Sequence, residues 1–190
     1  MKKAIALGLF IICGIGLYAQ NLSWDIKFFQ GRARESVAIS QIIRMQTGDV
    51  FSIAITPASD CFSYVIAYDS ERLIHVLHDQ PLRRDLELTL GPMMLLPPSG
   101  TETIYVIISL QREARLETLI QDHRRNPDSR QHADALRREI VRLQSTASRL
   151  GEPASAFIPS GGTTRGVSTP EHATRFSGRD SYVRTITIRH

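Results

Sequence analysis

The chain has 190 residues, 42% of them hydrophobic and 22% charged, with two cysteines and a net charge of +4. That is one domain's length with enough apolar material to bury a core. The charge falls to +2 if Lys2 and Lys3 leave with an export signal, and so near-neutral a balance in that compartment excludes nucleic acid as the expected partner.

Lys2 and Lys3, an apolar run from Ala4 to Leu17 and the small Ala19 follow the order of an export signal. The run is shorter than the roughly 18 residues of a membrane span. Residues 1–19 are therefore expected to be a cleaved signal peptide, and residues 20–190 a single domain in the periplasm or cell envelope, or secreted, and not transmembrane. Ile12 stands where lipidation of Cys13 would require a small residue, so cleavage after Ala19 is favoured. It removes Cys13 and leaves Cys61 alone, with no internal disulfide. Lys27 is then the only lysine, and arginine supplies every other strong base.

Leu22 to Gln30 mixes Trp24, Ile26, Phe28 and Phe29 with polar residues and reads as a strand. Val37 to Ile43 and Val50 to Thr56 read as a hairpin around Thr47-Gly48-Asp49, with Phe51, Ile53 and Ile55 facing the core. In the next run Phe62, Tyr64, Ile66 and Tyr68 share one face, and Cys61, Val65 and Ala67 the other. That predicts a central strand covered on both sides. Asp69-Ser70-Glu71-Arg72 turns the chain into Leu73 to Leu77, and Asp79-Gln80-Pro81 is expected to end that strand. Leu86 to Leu90 alternates until Gly91-Pro92 breaks it. Thr103 to Leu110 is the most β-branched run, with Ile104, Val106 and Ile108 on one face.

From Gln111 the period becomes helical. A first helix carries Leu116, Leu119 and Ile120, and a break follows at Asn126-Pro127-Asp128. Asp128 is the expected cap of a second helix with Leu136, Ile140, Leu143, Ala147 and Leu150 in its stripe. Gly151 and Pro153 stop it. Residues 159–181 are rich in glycine, serine and threonine and read as a loop, after which Tyr182 to His190 returns to strand alternation. The expected fold is mainly β: an Ig-like sandwich of about eight strands with a helical hairpin, 112–150, inserted before the last strand.

The Thr47-Gly48-Asp49 turn, Asp60-Cys61-Phe62-Ser63-Tyr64 leading to Tyr68-Asp69-Ser70, Val76-Leu77 before Pro81, and Gly100-Thr101-Glu102-Thr103 occur in an order that resembles a bacterial family catalogued as domain of unknown function 4384. The resemblance covers Met45 to Leu110 well and the final strand loosely. It implies an accessory module of exported or envelope proteins, with no catalytic residues assigned. The helical stretch from Arg112 to Leu150 departs from that family's pattern.

Chemistry candidates are few. Cys61 beside Asp60, with His75 and His78 near in sequence, has the residue types of a thiol nucleophile and its base, but a cysteine among apolar neighbours is ordinarily a buried one. His75, His78 and Asp79 are metal-ligand types, yet positions 75 and 78 fall on opposite faces of a regular strand. His123, His132, His172 and His190 share no ligand spacing and read as surface residues. Gly161-Gly162-Thr163-Thr164-Arg165 lacks the lysine and context of a phosphate loop. No metal or cofactor is expected.

The second helix offers a cationic outer face instead, where Arg130, Arg137, Arg138, Arg142 and Arg149 outnumber Asp134 and Glu139. An envelope protein or an acidic polymer is the expected partner of these arginines. The final strand adds a free edge on which a partner strand could dock. The expected function is that of an exported, non-catalytic binding module. A cysteine- or histidine-dependent hydrolase and a passive structural envelope protein are the alternatives.

Overall fold

The computed structural model describes residues 22–39, 42–147, 173–178 and 180–190. The expected signal segment with Cys13, Arg149 and Leu150 of the expected second helix, Gly151, Pro153, the Gly161 to Arg165 stretch and His172 lie outside them. Among the described residues no helix is long and apolar enough to cross a membrane.

Among the described residues, ten strands and two helices form three layers. Sheet A runs β2 (Glu35–Val37), β1 (Leu22–Gln30), β4 (Val50–Pro57) and β7 (Leu88–Met94), with β9 (Ala173–Gly178) also on β1. Sheet B runs β3 (Ile43–Arg44), β10 (Ser181–Arg189), β8 (Thr101–Ser109), β5 (Cys61–Tyr68) and β6 (Ile74–Leu82). Helices α1 (Ala114–Arg125) and α2 (Arg130–Thr146) cover the outer face of sheet B.

Period-two alternation supplies the core between the sheets. Leu22, Trp24, Ile26 and Phe28 of β1 meet Val65 of β5 and Ile104, Val106 and Ile108 of β8 there. Trp24 packs on Tyr182 with centroids 4.6 Å apart and stacks on Phe176 at 6.0 Å. The other face of sheet B buries Tyr64, Ile66 and Ile107 against Leu116, Ile120, Leu136, Ile140 and Leu143 of the helices. Strand β5 is thus covered on both faces, as its two apolar sets require.

Several expectations change. The runs before and after Thr47-Gly48-Asp49 do not pair with each other: β2 returns to β1, while β3 crosses to sheet B and lies parallel to β10. Strand β4 pairs instead with β1 and β7. Alternation identifies a strand and its inner face but not its neighbour. Gly48, at φ +93, and the Asp49 carboxylate accepting from Gln46 N–H (2.8 Å) make that turn a corner between sheets. Strand β6 continues through Asp79-Gln80-Pro81, which is possible because β6 is an edge strand and needs no outward N–H at Pro81.

The expected loop 159–181 contains a strand, β9, whose Phe176 reaches the core and whose Arg175 forks Asp25 at 2.8 and 2.9 Å. The helical hairpin therefore precedes the last two strands. Ser129, not Asp128, caps α2, its hydroxyl accepting from His132 N–H. On one side the final strand, β10, pairs with β8 along its whole length; on the other, β3 covers Ile188 and Arg189 alone, and no described strand pairs with Ser181 to Thr187 on that side.

Candidate functional site: a groove between the helical hairpin and the β5–β6 turn

The helical layer is fixed to sheet B by polar contacts at both ends of α1. Tyr64 Oη donates to Glu117 Oε1 (2.8 Å) and accepts from Glu113 N–H (3.1 Å), and Arg112 forks the same Glu117 carboxylate. Burial pushes the Tyr64 phenol well above its usual range. Burial would raise the Glu117 carboxyl too, but the hydrogen bond from Arg112 outweighs it and holds this carboxyl below its ordinary value. At the other end Arg124 forks Asp79 of β6.

These contacts leave a groove of about 630 Å³ where the hairpin tip, Pro127 to Ser129, faces the turn between β5 and β6. The turn is rigidly built. Asp69 accepts from Leu73 N–H (2.7 Å) through Oδ1 and bonds His75 Nε2 (2.7 Å) through Oδ2, and Arg72 adopts φ +69. Tyr68, at the end of β5, lies beneath the Arg137 guanidinium, 5.3 Å from carbon to ring centroid. Arg130, Arg72 and Leu73, with the carboxylates Glu71, Asp128 and Asp134, complete the rim. His123 is buried (5% exposed) on the groove's inner wall and donates Nε2–H to Ile74 O (3.1 Å).

The five arginines singled out by sequence divide into separate sets. Arg130 and Arg137 are seven residues apart, two helical turns, and both line the groove. Neither forms an ion pair with a described residue, and nor does Arg72. Arg138 is exposed and unpaired among the described residues but lies outside the groove lining. Arg142 is committed: it forks Glu139 at 2.6 and 3.0 Å, and Arg115 of α1 reaches the second oxygen at 3.1 Å. Glu139 is 3% exposed, so it belongs to the α1–α2 interface and not to an outer face. Arg149 lies outside the described residues.

The chemistry candidates resolve as follows. Cys61 is buried among core side chains, and burial pushes its thiol to about 11, reinforced by the Asp60 charge. Its rung is Cys61–Leu82, while those of His78 and His75 lie at Val65 and Ala67, roughly 13 and 20 Å along the sheet, so neither of these histidines stands beside the sulfur. A bulge between Val65 and Ile66 corrects the reading of the β6 histidines. It absorbs one residue of β6 and places His75 and His78 on the same face, opposite Ala67 and Val65. They nonetheless make separate bonds, His75 to Asp69 and His78 Nε2–H to Gln80 O. Among the described residues no group of three or more metal-ligand side chains converges.

Two other histidines are not surface residues. His123 closes the Leu116, Ile120, His123 stripe of α1, a spacing of i, i+4 and i+7 that was legible in the sequence. The His190 ring is fully buried between Thr47 Oγ1 (3.0 Å) and Glu102 Oε1 (3.3 Å), where it ties the corner after β3 to β8. Tyr68 and the turn from Asp69 to Leu73 are the groove residues that sequence reasoning missed, because they lie some 60 residues from α2.

No family model, curated protein or solved structure matches this chain.

Proposed function

We propose that the protein is an exported, non-catalytic recognition module that holds an acidic segment of an envelope protein in the groove between α2 and the β5–β6 turn. One observation carries this reading: Arg72, Arg130 and Arg137 line an open groove and, although Glu71, Asp128 and Asp134 share that lining, form no ion pair with a described residue, whereas Arg112, Arg115, Arg124 and Arg142 of the same layer are all paired. A guanidinium with free N–H groups takes a carboxylate bidentately, and Arg137 is pre-positioned by the Tyr68 ring. The basic start and short apolar run of residues 1–19 support export. The resemblance over Met45 to Leu110 supports an accessory role.

The test is recovery of the tagged protein from crosslinked native envelopes, comparing wild type with the Arg130→Gln/Arg137→Gln double variant and with Arg138→Gln. The reading expects a discrete adduct whose crosslinked peptide is rich in aspartate and glutamate. That adduct falls at least tenfold in the double variant and persists in Arg138→Gln. Equal recovery from all three proteins would remove the groove from the account.

A further inference from the structure

Sheet A carries a second concavity, on the face turned away from sheet B. Because Phe51 and Ile53 of β4 enter the core, Val50 and Ser52 face outward. Opposite Ser52 the neighbouring strand holds two residues where one would fit: Phe51 pairs with Met93 and Ile53 with Leu90, which leaves Gly91 and Pro92 as a bulge. Gly91 adopts φ +105, and a Cβ there would stand 2.9 Å from Phe51 O and 3.0 Å from Ser52 Oγ. Only glycine fits there, beside a hollow of about 450 Å³ lined by Val50, Ser52, Thr89, Pro92 and Met94.

One end of this hollow is cationic. Gly31 N–H binds Val50 O at 2.7 Å, which brings the β1–β2 turn over the hollow with Arg32 and Arg34 at the rim. The Arg34 guanidinium rests on the Phe29 ring, 4.5 Å from its centroid. Arg32 is exposed and makes no ion pair with a described residue.

We propose that this hollow binds a single alkyl chain ending in an anionic head, a carboxylate or a phosphate. Its apolar lining includes Met94, whose unbranched side chain adapts to a flexible guest. The volume lies within the range of small-molecule sites, about 300–1,000 Å³. The two guanidiniums at one end supply the complement to one anionic group. The site is on the opposite side of the sandwich from the groove, so either can fail without the other.

The experiment is calorimetric titration of the full chain, purified as expressed, with sodium decanoate and decyl phosphate, each below its micellar concentration, alongside acetate and decyltrimethylammonium. Saturable binding of at least one anionic amphiphile is expected, with acetate and the cation at least tenfold weaker. Tighter binding of decyl phosphate assigns a phosphate head, and tighter binding of decanoate a carboxylate. Arg32→Gln/Arg34→Gln should weaken the anionic ligand about tenfold. Thr89→Trp, an exposed strand position that tolerates an aromatic, should fill the hollow and abolish binding with an unchanged melting midpoint. Absence of saturable binding, equal affinity for the cationic amphiphile, or unaltered affinity in both variants would overturn the proposal, the last pointing to the open edge of β7 instead.

Discussion

Arg124 of α1 holds both carboxylate oxygens of Asp79 on β6, at 2.6 and 3.1 Å, and so ties the helical hairpin to the free edge of sheet B. Burial alone would raise the Asp79 carboxyl, but the Arg124 hydrogen bonds and charge, with Gln80 assisting, hold it below its ordinary value. A carboxyl depressed in the folded state contributes stability that is present above its unfolded pKa, about 3.9, and is lost as pH falls through the folded value. Urea unfolding midpoints should be level from about pH 7 to 5 and fall below about pH 4. Asp79→Asn should flatten part of that acid limb and cost about 1 kcal/mol at neutral pH, since Arg124 is partly solvated.

Tyr64 is the second tie. Its hydroxyl serves Glu113 N–H at the start of α1, where no side chain caps the helix, and Glu117 one turn later. Tyr64→Phe keeps the packing but leaves the part-buried Glu113 N–H without its acceptor and takes from Glu117 Oε1 one of its two donors, the other being Arg112 Nε. A loss of roughly 1–3 kcal/mol is expected in denaturant titration, with unchanged strand content by circular dichroism.

The cap of α2 separates two neighbouring residues. Ser129→Ala should destabilise by about 1 kcal/mol because it removes the acceptor of His132 N–H, whereas Asp128→Ala should change the unfolding midpoint little. Parallel urea titrations of the two variants check this, and a larger loss in Asp128→Ala would move the cap.

Cys61 is buried with its thiol raised to about 11, and the thiolate is the reactive form. In a chain beginning at Gln20, which lacks Cys13, a disulfide reagent at pH 8 should leave the folded protein unmodified over hours and react completely once denaturant is added. Rapid stoichiometric reaction of the folded protein would show the sulfur to be accessible.

Much of the fold was legible because alternation reports faces directly. The two sets on β5 went to opposite layers, Tyr64 and Ile66 to the helices and Cys61 and Val65 to sheet A. Pairing was not legible: nothing in Ile43-Arg44 announces that it lies beside Ile188 and Arg189, 145 residues away. The bulge that brings His75 and His78 to one face also left no mark, since it changes register without changing composition. In the groove, the seven-residue spacing of Arg130 and Arg137 was readable. Glu139 was misread as an outer-face charge because its partner Arg115 comes from the other helix.

The most direct test of the groove as a recognition site uses a photo-crosslinking residue at Leu73, exposed on the groove rim, and the same residue at Leu86, equally exposed beyond the opposite end of β6. Irradiated in the native host, position 73 should yield one discrete adduct with an acidic segment, position 86 none, and Arg130→Gln/Arg137→Gln should abolish the adduct at 73. Matching adducts from both positions, or an adduct at 73 that survives the double variant, would contradict recognition through these arginines.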